Sequence, residues 1–589
     1  MTDPLTPLDG RRDGPPLVLV ARGRPGWSPE REAAIRDLIG LDFDAEVASP
    51  RGTVGPGSFD AVLLDGLPAE VDPDWAASLA VAVSAGACLV VLAAGETPEA
   101  TAAGSPSGAS FAARQAFEEL LGVAVRQEPR RAEWVMRPGA ADSPLADRLP
   151  EEIYFEDSLA ALEPTTGDVS VVATVSVAFS ERAVLTERRV GEGAVVVAGF
   201  GASPAGLAHP ELRRIVRRAL RRTSLPDALH RSLGLGVVGY GPYGGMGLLH
   251  GLAAQATPGL VMVAACDGDP GRRKAAEADF PEARAYATHH ELAEDDDVEI
   301  VVVATPPSSH AAIGSAMLRA GKHVVLEKPM CLTVREADTL IALAGEHDVS
   351  LTVHQSRRHD ADFRAVRMAV ERGDIGEVFN VETFVGGFEH PCRAWHSEVS
   401  VSGGAVYDWG SHHLDWILLL MGGFPDRLVA HGHKRVWYDV TNLDQVRVRL
   451  LYEDGREAEF VQSDVAAVRR PKFYVQGTQG TIAGWYRPLR IERVEPVHGY
   501  VSEEPHHAEG PADLKLCRYA GGSTGRVAES SLPLEPDVAN AFHRNLADHL
   551  LLGERLEVEP AAGRRVVALL EAAQRSTDEG NVPIDLPRL

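Results

Sequence analysis

Residues Gly234–Gln255 read GLGVVGYGPYGGMGLLHGLAAQ: an apolar strand, a glycine-rich turn and an apolar helix in succession. The turn, Gly239-Tyr240-Gly241-Pro242-Tyr243-Gly244, has the pattern GxGxxG. Glycines there permit a tight turn and close backbone approach, and the N-terminus of the helix offers unpaired N–H groups to a pyrophosphate. An acidic residue is then expected at the end of the next strand, and VMVAACDGD supplies Asp267, 23 residues past Gly244. Its carboxylate suits the two hydroxyls of a ribose and repels a 2′-phosphate, which favours NAD. Arg272 and Arg273 nearby keep NADP open. A glycine turn without a ligand is the plain alternative.

Two further apolar strands follow, in VEIVVVATPP and KHVVLEKP. Near-continuous apolar strands separated by helices predict a parallel sheet covered on both faces. Ligands of such sheets sit outside the carboxyl ends of the strands. Glu327-Lys328-Pro329 lies at one such end, where Pro329 is a candidate for a cis bond that fixes the turn. Taken alone, Lys328 also reads as an ordinary surface lysine. Thr305-Pro306-Pro307, with His310, makes a second lip of the same crevice.

The third motif is Asp408-Trp409-Gly410-Ser411-His412-His413-Leu414-Asp415. On one continuous helix, Asp408, His412 and Asp415 share a face. A carboxylate beside a histidine orients the ring and raises its basicity, which suits a general base acting on an alcohol. A capping Asp with incidental histidines is one rival reading. A metal site at His412 or His413 is another, but neither HExxH nor CxxC spacing supports it, so no metal is expected.

Outward from this centre the texture changes twice. After about residue 360 the segments Val378–Val385, Arg427–Lys434, Gln445–Tyr452, Glu457–Ser463 and Lys472–Gln476 alternate apolar and polar residues, as half-buried antiparallel strands do. Helices are expected at Asp537–Leu551 and Ala561–Thr577, and an irregular surface insertion at 498–530. Before residue 233, strands at Leu17–Ala21, Ala61–Leu64, Cys88–Ala93, Val169–Ala178 and Ala194–Phe200 mix with helices at Glu30–Leu38, Trp75–Ser84 and Pro210–Arg222. The last helix carries six arginines opposite an apolar stripe and reads as a solvated face rather than a basic binding patch. These readings divide the chain into a disordered tail (1–14), an α/β domain (15–222), a linker (223–232), a Rossmann α/β dinucleotide-binding domain (233–355) and an α+β domain with a large, mostly antiparallel sheet (356–589).

Composition bounds the function. The chain has 589 residues, 45% hydrophobic and 24% charged, with a formal net charge of −26. Such a field repels a nucleic acid or an anionic membrane surface, so neither is an expected partner. Five scattered cysteines without metal-ligand spacing point to reduced thiols, and the polar, Pro-rich start lacks the apolar core of a signal peptide. A cytoplasmic location follows as the expectation. Trp75–Gly95 is long enough and uncharged enough to span a membrane, but Ser84-Ala85-Gly86 interrupts it and no Lys or Arg flanks it. A buried helix, a turn and a buried strand fit better.

Together the three motifs resemble the Gfo/Idh/MocA family of sugar and inositol oxidoreductases, over roughly residues 233–589, including the ending FHRNLADHLLLGERLEVEP. The resemblance implies that Lys328, Asp408 and His412 are catalytic. It implies that Gly239, Gly241, Gly244, Asp267, Thr305 and Glu327 hold the dinucleotide, with Tyr240, Tyr243, Pro306 and His310 beside them. Arg357, Arg358, Arg393, Trp395 and His396 become candidate substrate contacts. The implied reaction is hydride transfer at a secondary alcohol or ketone of a sugar, cyclitol or related polyol, by a homodimer or tetramer. A redox-neutral enzyme that retains its NAD and a non-enzymatic dinucleotide- or sugar-responsive regulator are the alternatives.

The first 220 residues are similar to ThuA-like domains of flavodoxin-like architecture, through GACLVVLAAG and SPLADRLP. Ala93 and Ser143 stand where that family has histidines, which implies a degenerate binding or packing domain.

Overall fold

The computed structural model describes residues 16–23, 27–39, 43–94, 108–139, 143–146, 149–177, 180–224, 231–241, 245–391, 394–487, 510–520 and 525–587. The tail (1–14), most of the linker, Tyr243, Gly244 and Arg393 lie outside them. The chain forms two compact units, Met1–His230 and Arg231–Leu589.

In the first unit, five parallel strands run in the order Asp44–Ala48, Leu17–Arg22, Ala61–Asp65, Cys88–Leu92, Gly193–Ala198. The sheet continues antiparallel through Ser180–Val190, Ile153–Pro164, Val123–Pro138 and Val169–Val177. Alternate residues of the parallel strands face opposite ways, and both faces are buried in every strand but the exposed edge strand Asp44–Ala48. Val18 and Val20 pack with Ile35 and Ile215 from the helices Pro29–Ile39 and Pro210–Leu220, while Leu19 and Ala21 share a core with Trp75 and Phe117 from Pro73–Ser84 and Gly108–Leu121.

The stretch that could have spanned a membrane is a helix with one buried face (Trp75, Ala76, Leu79, Ala82 and Val83) rather than a wholly buried one, capped by Asp72 Oδ1 on the Trp75 N–H (2.8 Å) and followed by an inner strand. No helix among the described residues is long and apolar enough to cross a membrane. The arginine-rich helix corrects the expectation of a solvated face. Its apolar stripe is buried as expected, but Arg218 is only 1% exposed, and Arg222 Nε donates to Glu187 Oε1 at 2.5 Å. Glu187 also accepts from Ser143 Oγ (2.6 Å), so the arginine side is covered by a polar network that helical periodicity does not foresee.

The second unit begins with six parallel strands in the order Arg284–Tyr286, Leu260–Cys266, Leu233–Val238, Ile300–Val303, His323–Leu326, Leu351–Val353. This is the doubly wound order whose direction reverses beside the first strand, and the reversal opens a crevice at the strands' carboxyl ends. Nine further strands form the second sheet of this unit, from Val527–Leu532 at one edge to Ile584–Asp585 at the other. Its pairings are antiparallel except for Val378–Gly386 against Glu457–Ser463. One face is buried, as in Val446, Val448 and Leu450, against the helices Ala361–Glu371, Gly410–Met421 and Pro560–Asp578.

The expected irregular insertion is corrected in part. Ala512–Tyr519 and Val527–Leu532 are strands that extend this sheet. Ala512, Leu514 and Leu516 are buried between exposed polar neighbours, a period of two that the surrounding glycines and charges obscure.

Candidate active site

The cleft begins where the glycine turn meets the strand across the crevice. Gly239 has φ +99°, and a Cβ there would stand 2.8 Å from the Ala304 carbonyl carbon, so only glycine lets the two strand ends approach. Gly247, the second residue of the following helix, is equally constrained, since a Cβ would lie 2.8 Å from Tyr240 Cα. Between these ends lies an open cleft of about 530 Å³, lined among others by Gly239, Gly241, Asp267, Thr305, Pro306 and Trp395.

Asp267 is held in place rather than loose. One carboxylate oxygen accepts the Tyr240 N–H (3.0 Å) and the other the Asp269 N–H (2.9 Å), which leaves a lone pair on each for a ligand hydroxyl. Arg273 Nη1 donates to the main-chain carbonyl oxygen of Asp267 at 2.7 Å. Gly239 and Gly241 at the strand end, a fixed carboxylate and a crevice at the strand reversal fit the adenosine and pyrophosphate of a dinucleotide.

Three expected cofactor residues are placed differently. The Tyr240 side chain is 1% exposed, edge-on to Phe280, with its hydroxyl donating to Asp279 Oδ2 (2.7 Å), so it is a core residue. Burial and the Asp279 carboxylate both push that phenol's pKa up. His310 is fully buried, its ring nitrogens 2.7 Å from the Thr305 carbonyl oxygen and 2.9 Å from that of Pro329. It braces the two lips of the crevice against each other instead of touching a ligand. Glu327 turns inward, its Oε1 2.7 Å from His354 Nδ1 and 3.0 Å from His250 Nε2.

Lys328 and its neighbours close the other end. The Lys328–Pro329 bond is cis. Lys328 Nζ donates to Asp408 Oδ1 at 2.8 Å, and both side chains are half-buried. The single helix expected across Asp408–Asp415 is broken into Ala405–Asp408 and Gly410–Met421. The expected couple of Asp408 with His412 is thereby replaced: Asp408 serves Lys328, and His412 Nδ1 lies 3.1 Å from Gln355 Oε1.

Gln355 is a residue that motif reading missed. Its Nε2 donates to the Ser411 carbonyl oxygen (3.0 Å), which turns Oε1 toward His412. An amide oxygen only accepts, so His412 carries its proton on Nδ1 and its lone pair on Nε2. Burial, then the positive charges of Lys328 and Arg357, hold the His412 pKa well below 6.5, so the ring is neutral. A buried neutral imidazole with a free lone pair can accept a proton.

The other candidates separate. Arg358 forms a bidentate ion pair with Asp415, both contacts 2.6 Å, so it is spent within the scaffold and is not available as a substrate contact. Arg357 stays beside the site, its guanidinium 5.3 Å from the centre of the Trp409 ring. Trp395 reaches the cleft and stacks on His396 at 3.7 Å. His413 is buried against Trp416 and Phe460, with neither ring nitrogen hydrogen-bonded. Asp464, also unforeseen, has its pKa pushed up to about 7, mainly by burial and then by the charges of Asp408, Asp444 and Glu389.

Comparison with known proteins agrees with this geometry. Residues 233–355 match the model of an oxidoreductase family with an NAD-binding Rossmann fold, GFO_IDH_MocA, and residues 363–483 match the GFO/IDH/MocA C-terminal domain. The chain is 26% identical over 323 residues to scyllo-inositol 2-dehydrogenase (NADP(+)) IolW of Bacillus subtilis, covering 52% of this chain and 85% of that one. It is 31% identical over 262 residues to the uncharacterized oxidoreductase YdgJ of Escherichia coli, covering 44% of this chain and 73% of that one. Among solved structures, the NAD-binding protein from Listeria innocua superposes with a TM-score of 0.51 at 26% identity, covering 60% of this chain and 97% of that one.

Proposed function

The chain belongs to the GFO/IDH/MocA oxidoreductase family, and on that premise we propose that it transfers hydride between NAD(P) and a secondary alcohol or ketone carbon of a sugar, cyclitol or related polyol. The observation that carries this reading is the pairing of an anchored ammonium, Lys328, with an imidazole whose Nε2 lone pair is set by Gln355. The glycine turn and Asp267 would hold the dinucleotide, with Thr305 and Pro306 along the cleft. When bound, the nicotinamide supplies the hydride acceptor or donor.

The chain's own residues handle the proton and the oxygen. His412 Nε2 takes the hydroxyl proton, and Gln355 Oε1 steadies the Nδ1–H as the ring becomes charged. Lys328 donates to the substrate oxygen and stabilises the alkoxide character that develops there. Asp408 fixes the position of the ammonium. Trp395, which lines the cleft, with His396 stacked on it and Arg357 beside Trp409, would contact the remaining hydroxyls. Acid–base assistance of this kind contributes roughly 10²–10⁴ in rate.

We read the five parallel strands of the first unit, in the order second, first, third, fourth, fifth, as a flavodoxin-like core with an antiparallel extension. Its likeness to ThuA-like domains rests on the two sequence segments alone. Cys88 is buried, with its pKa raised to about 12, which suits a packing role rather than nucleophilic chemistry. Assembly into a homo-oligomer belongs to the same proposal, since Phe379, Trp485 and Tyr519 are exposed on the nine-stranded sheet.

A panel of sugars and polyols with NAD and NADP, followed by the absorbance of the reduced cofactor, tests the reading. Turnover with at least one polyol is expected. Cofactor binding without turnover across the panel would point to a regulator instead.

A further inference from the structure

Four side chains outside the cleft converge on one buried point. His250 comes from the helix Met246–Ala256, Glu327 from the end of His323–Leu326, His354 from the end of Leu351–Val353, and His543 from the helix Ala541–Leu552. They are 1%, 7%, 8% and 5% exposed, respectively. One potential ligand atom from each histidine lies within 4.8 Å of those of the other two.

The orientation of the rings is specific. His250 turns Nε2 to Glu327 Oε1 (3.0 Å) and Nδ1 to His543 Nε2 (3.0 Å). His354 turns Nδ1 to the same carboxylate oxygen (2.7 Å). Glu327 can therefore accept one N–H from each of two histidines, which puts the lone pairs on His250 Nδ1 and His354 Nε2. A metal-bound histidine characteristically donates its other ring N–H to a carboxylate, which fixes the tautomer and raises the basicity of the ligating nitrogen.

The spacing between His250 Nδ1 and His543 Nε2 is close to the separation of about 3.3 Å that bonds of 2.0–2.1 Å give at a tetrahedral zinc centre. Among the described residues no Lys or Arg side chain lies within ion-pair distance of the Glu327 carboxylate: Oε1 meets the two imidazoles, and Oε2 accepts only the neutral Lys328 main-chain N–H at 3.0 Å. A divalent cation would offset that buried charge.

We propose that His250, His354 and His543 bind a divalent transition ion of the Zn²⁺ or Co²⁺ class, with Glu327 as the outer carboxylate. Three imidazole nitrogens select such ions over Mg²⁺ or Ca²⁺, which prefer oxygen. The ion would tie together two helices and two strand ends. One of those ends precedes Lys328 and the other precedes Gln355, so the clamp would steady both supports of the catalytic pair. The proposal does not depend on the identity of the substrate.

The test uses the full chain, stripped with a chelator and titrated with Co²⁺, read by equilibrium dialysis and ligand-field absorption. One equivalent per chain is expected, with a tetrahedral spectrum, displacement by Zn²⁺ and a higher thermal midpoint. His543→Phe removes one ligand while keeping a ring of similar size, and should abolish all four. His289 and His290 are a second histidine pair, lining the cleft with ring centres 4.2 Å apart, and His289→Ala with His290→Ala should leave metal binding intact. X-ray absorption of the zinc form of the wild type gives a reading that needs no variant, with three imidazoles expected in the inner shell. Less than one equivalent bound, equal binding by a folded His543→Phe, or fewer than three imidazoles would overturn the site. The four residues would then form only a chain of hydrogen bonds, with the His543 Nε2–H donating to His250 Nδ1.

Discussion

Gln355 sets the state of His412 through one amide whose two ends cannot be exchanged. Reversing it would place an N–H against His412 Nδ1 and an oxygen against the Ser411 carbonyl oxygen. Gln355→Leu should therefore lower kcat about tenfold, corresponding to the roughly 1–1.5 kcal/mol of one lost hydrogen bond, while the cofactor Kd stays unchanged. Steady-state kinetics beside cofactor titration checks this. Lys328→Ala should leave cofactor affinity nearly intact and cut turnover by 10² or more, on the order of a lost acid–base group. A variant as active as the wild type would remove Lys328 from the reaction. The motifs EKP and DWGSHHLD made Lys328, Asp408 and His412 legible as residues, but not their pairing. Trp409 breaks the helix between Asp408 and His412, so spacing along a single helix assigned the carboxylate to the wrong partner. Gln355 follows an unremarkable strand in VHQS and carries no signal until the fold places it against Ser411.

The helix Gly410–Met421 is buried along most of its length, and its histidines couple it to pH. His412 and His413 are both held well below 6.5, largely by burial. In the unfolded chain each takes a proton near pH 6.5, whereas in the folded chain neither does until the solution is far more acidic. The unfolded state therefore binds more protons, and stability falls as pH drops below about 6.5. His413→Phe should flatten the decline of the thermal midpoint between pH 7 and 5, read by calorimetry; an unchanged slope would contradict the assignment.

The helix Ala361–Glu371 is tied to the sheet by a buried pair, Lys472 Nζ to Asp362 Oδ2 at 2.7 Å, with both side chains 1% exposed. Lys472→Met leaves that carboxylate buried without its cation, and should cost about 3–5 kcal/mol in denaturant unfolding. Element type was legible where periodicity was clean, as in Gln445–Leu451, whose buried and exposed residues alternate. It failed at Ala512–Tyr519 because the composition around the strand outweighed its alternation. It also failed on the arginine face of Pro210–Leu220, because periodicity reports which side is apolar and not what covers the other side.

At the scale of the whole molecule, the parallel sheet of the second unit was legible in its run of apolar strands, and GLGVVGYGPYGG marks the strand end where its crevice opens, whereas the strand order emerges only in the fold. The convergence of His250, His354 and His543 was not legible, because residues 250, 354 and 543 are far apart in the chain and only the packing of the last helices brings them together. The division after His230 coincides with the point where the strand–turn–helix pattern begins again. The chemistry proposed for the second unit stands on one event, movement of a hydride from a carbinol carbon while His412 takes the hydroxyl proton. The most direct test incubates the full chain with NAD or NADP and a polyol deuterated at its carbinol carbons, using whichever polyol turns over in the panel. Mass spectrometry should find deuterium on the reduced nicotinamide and one carbinol converted to a ketone. Reduced cofactor without deuterium, or no transfer from any polyol tested, would contradict hydride transfer at this site.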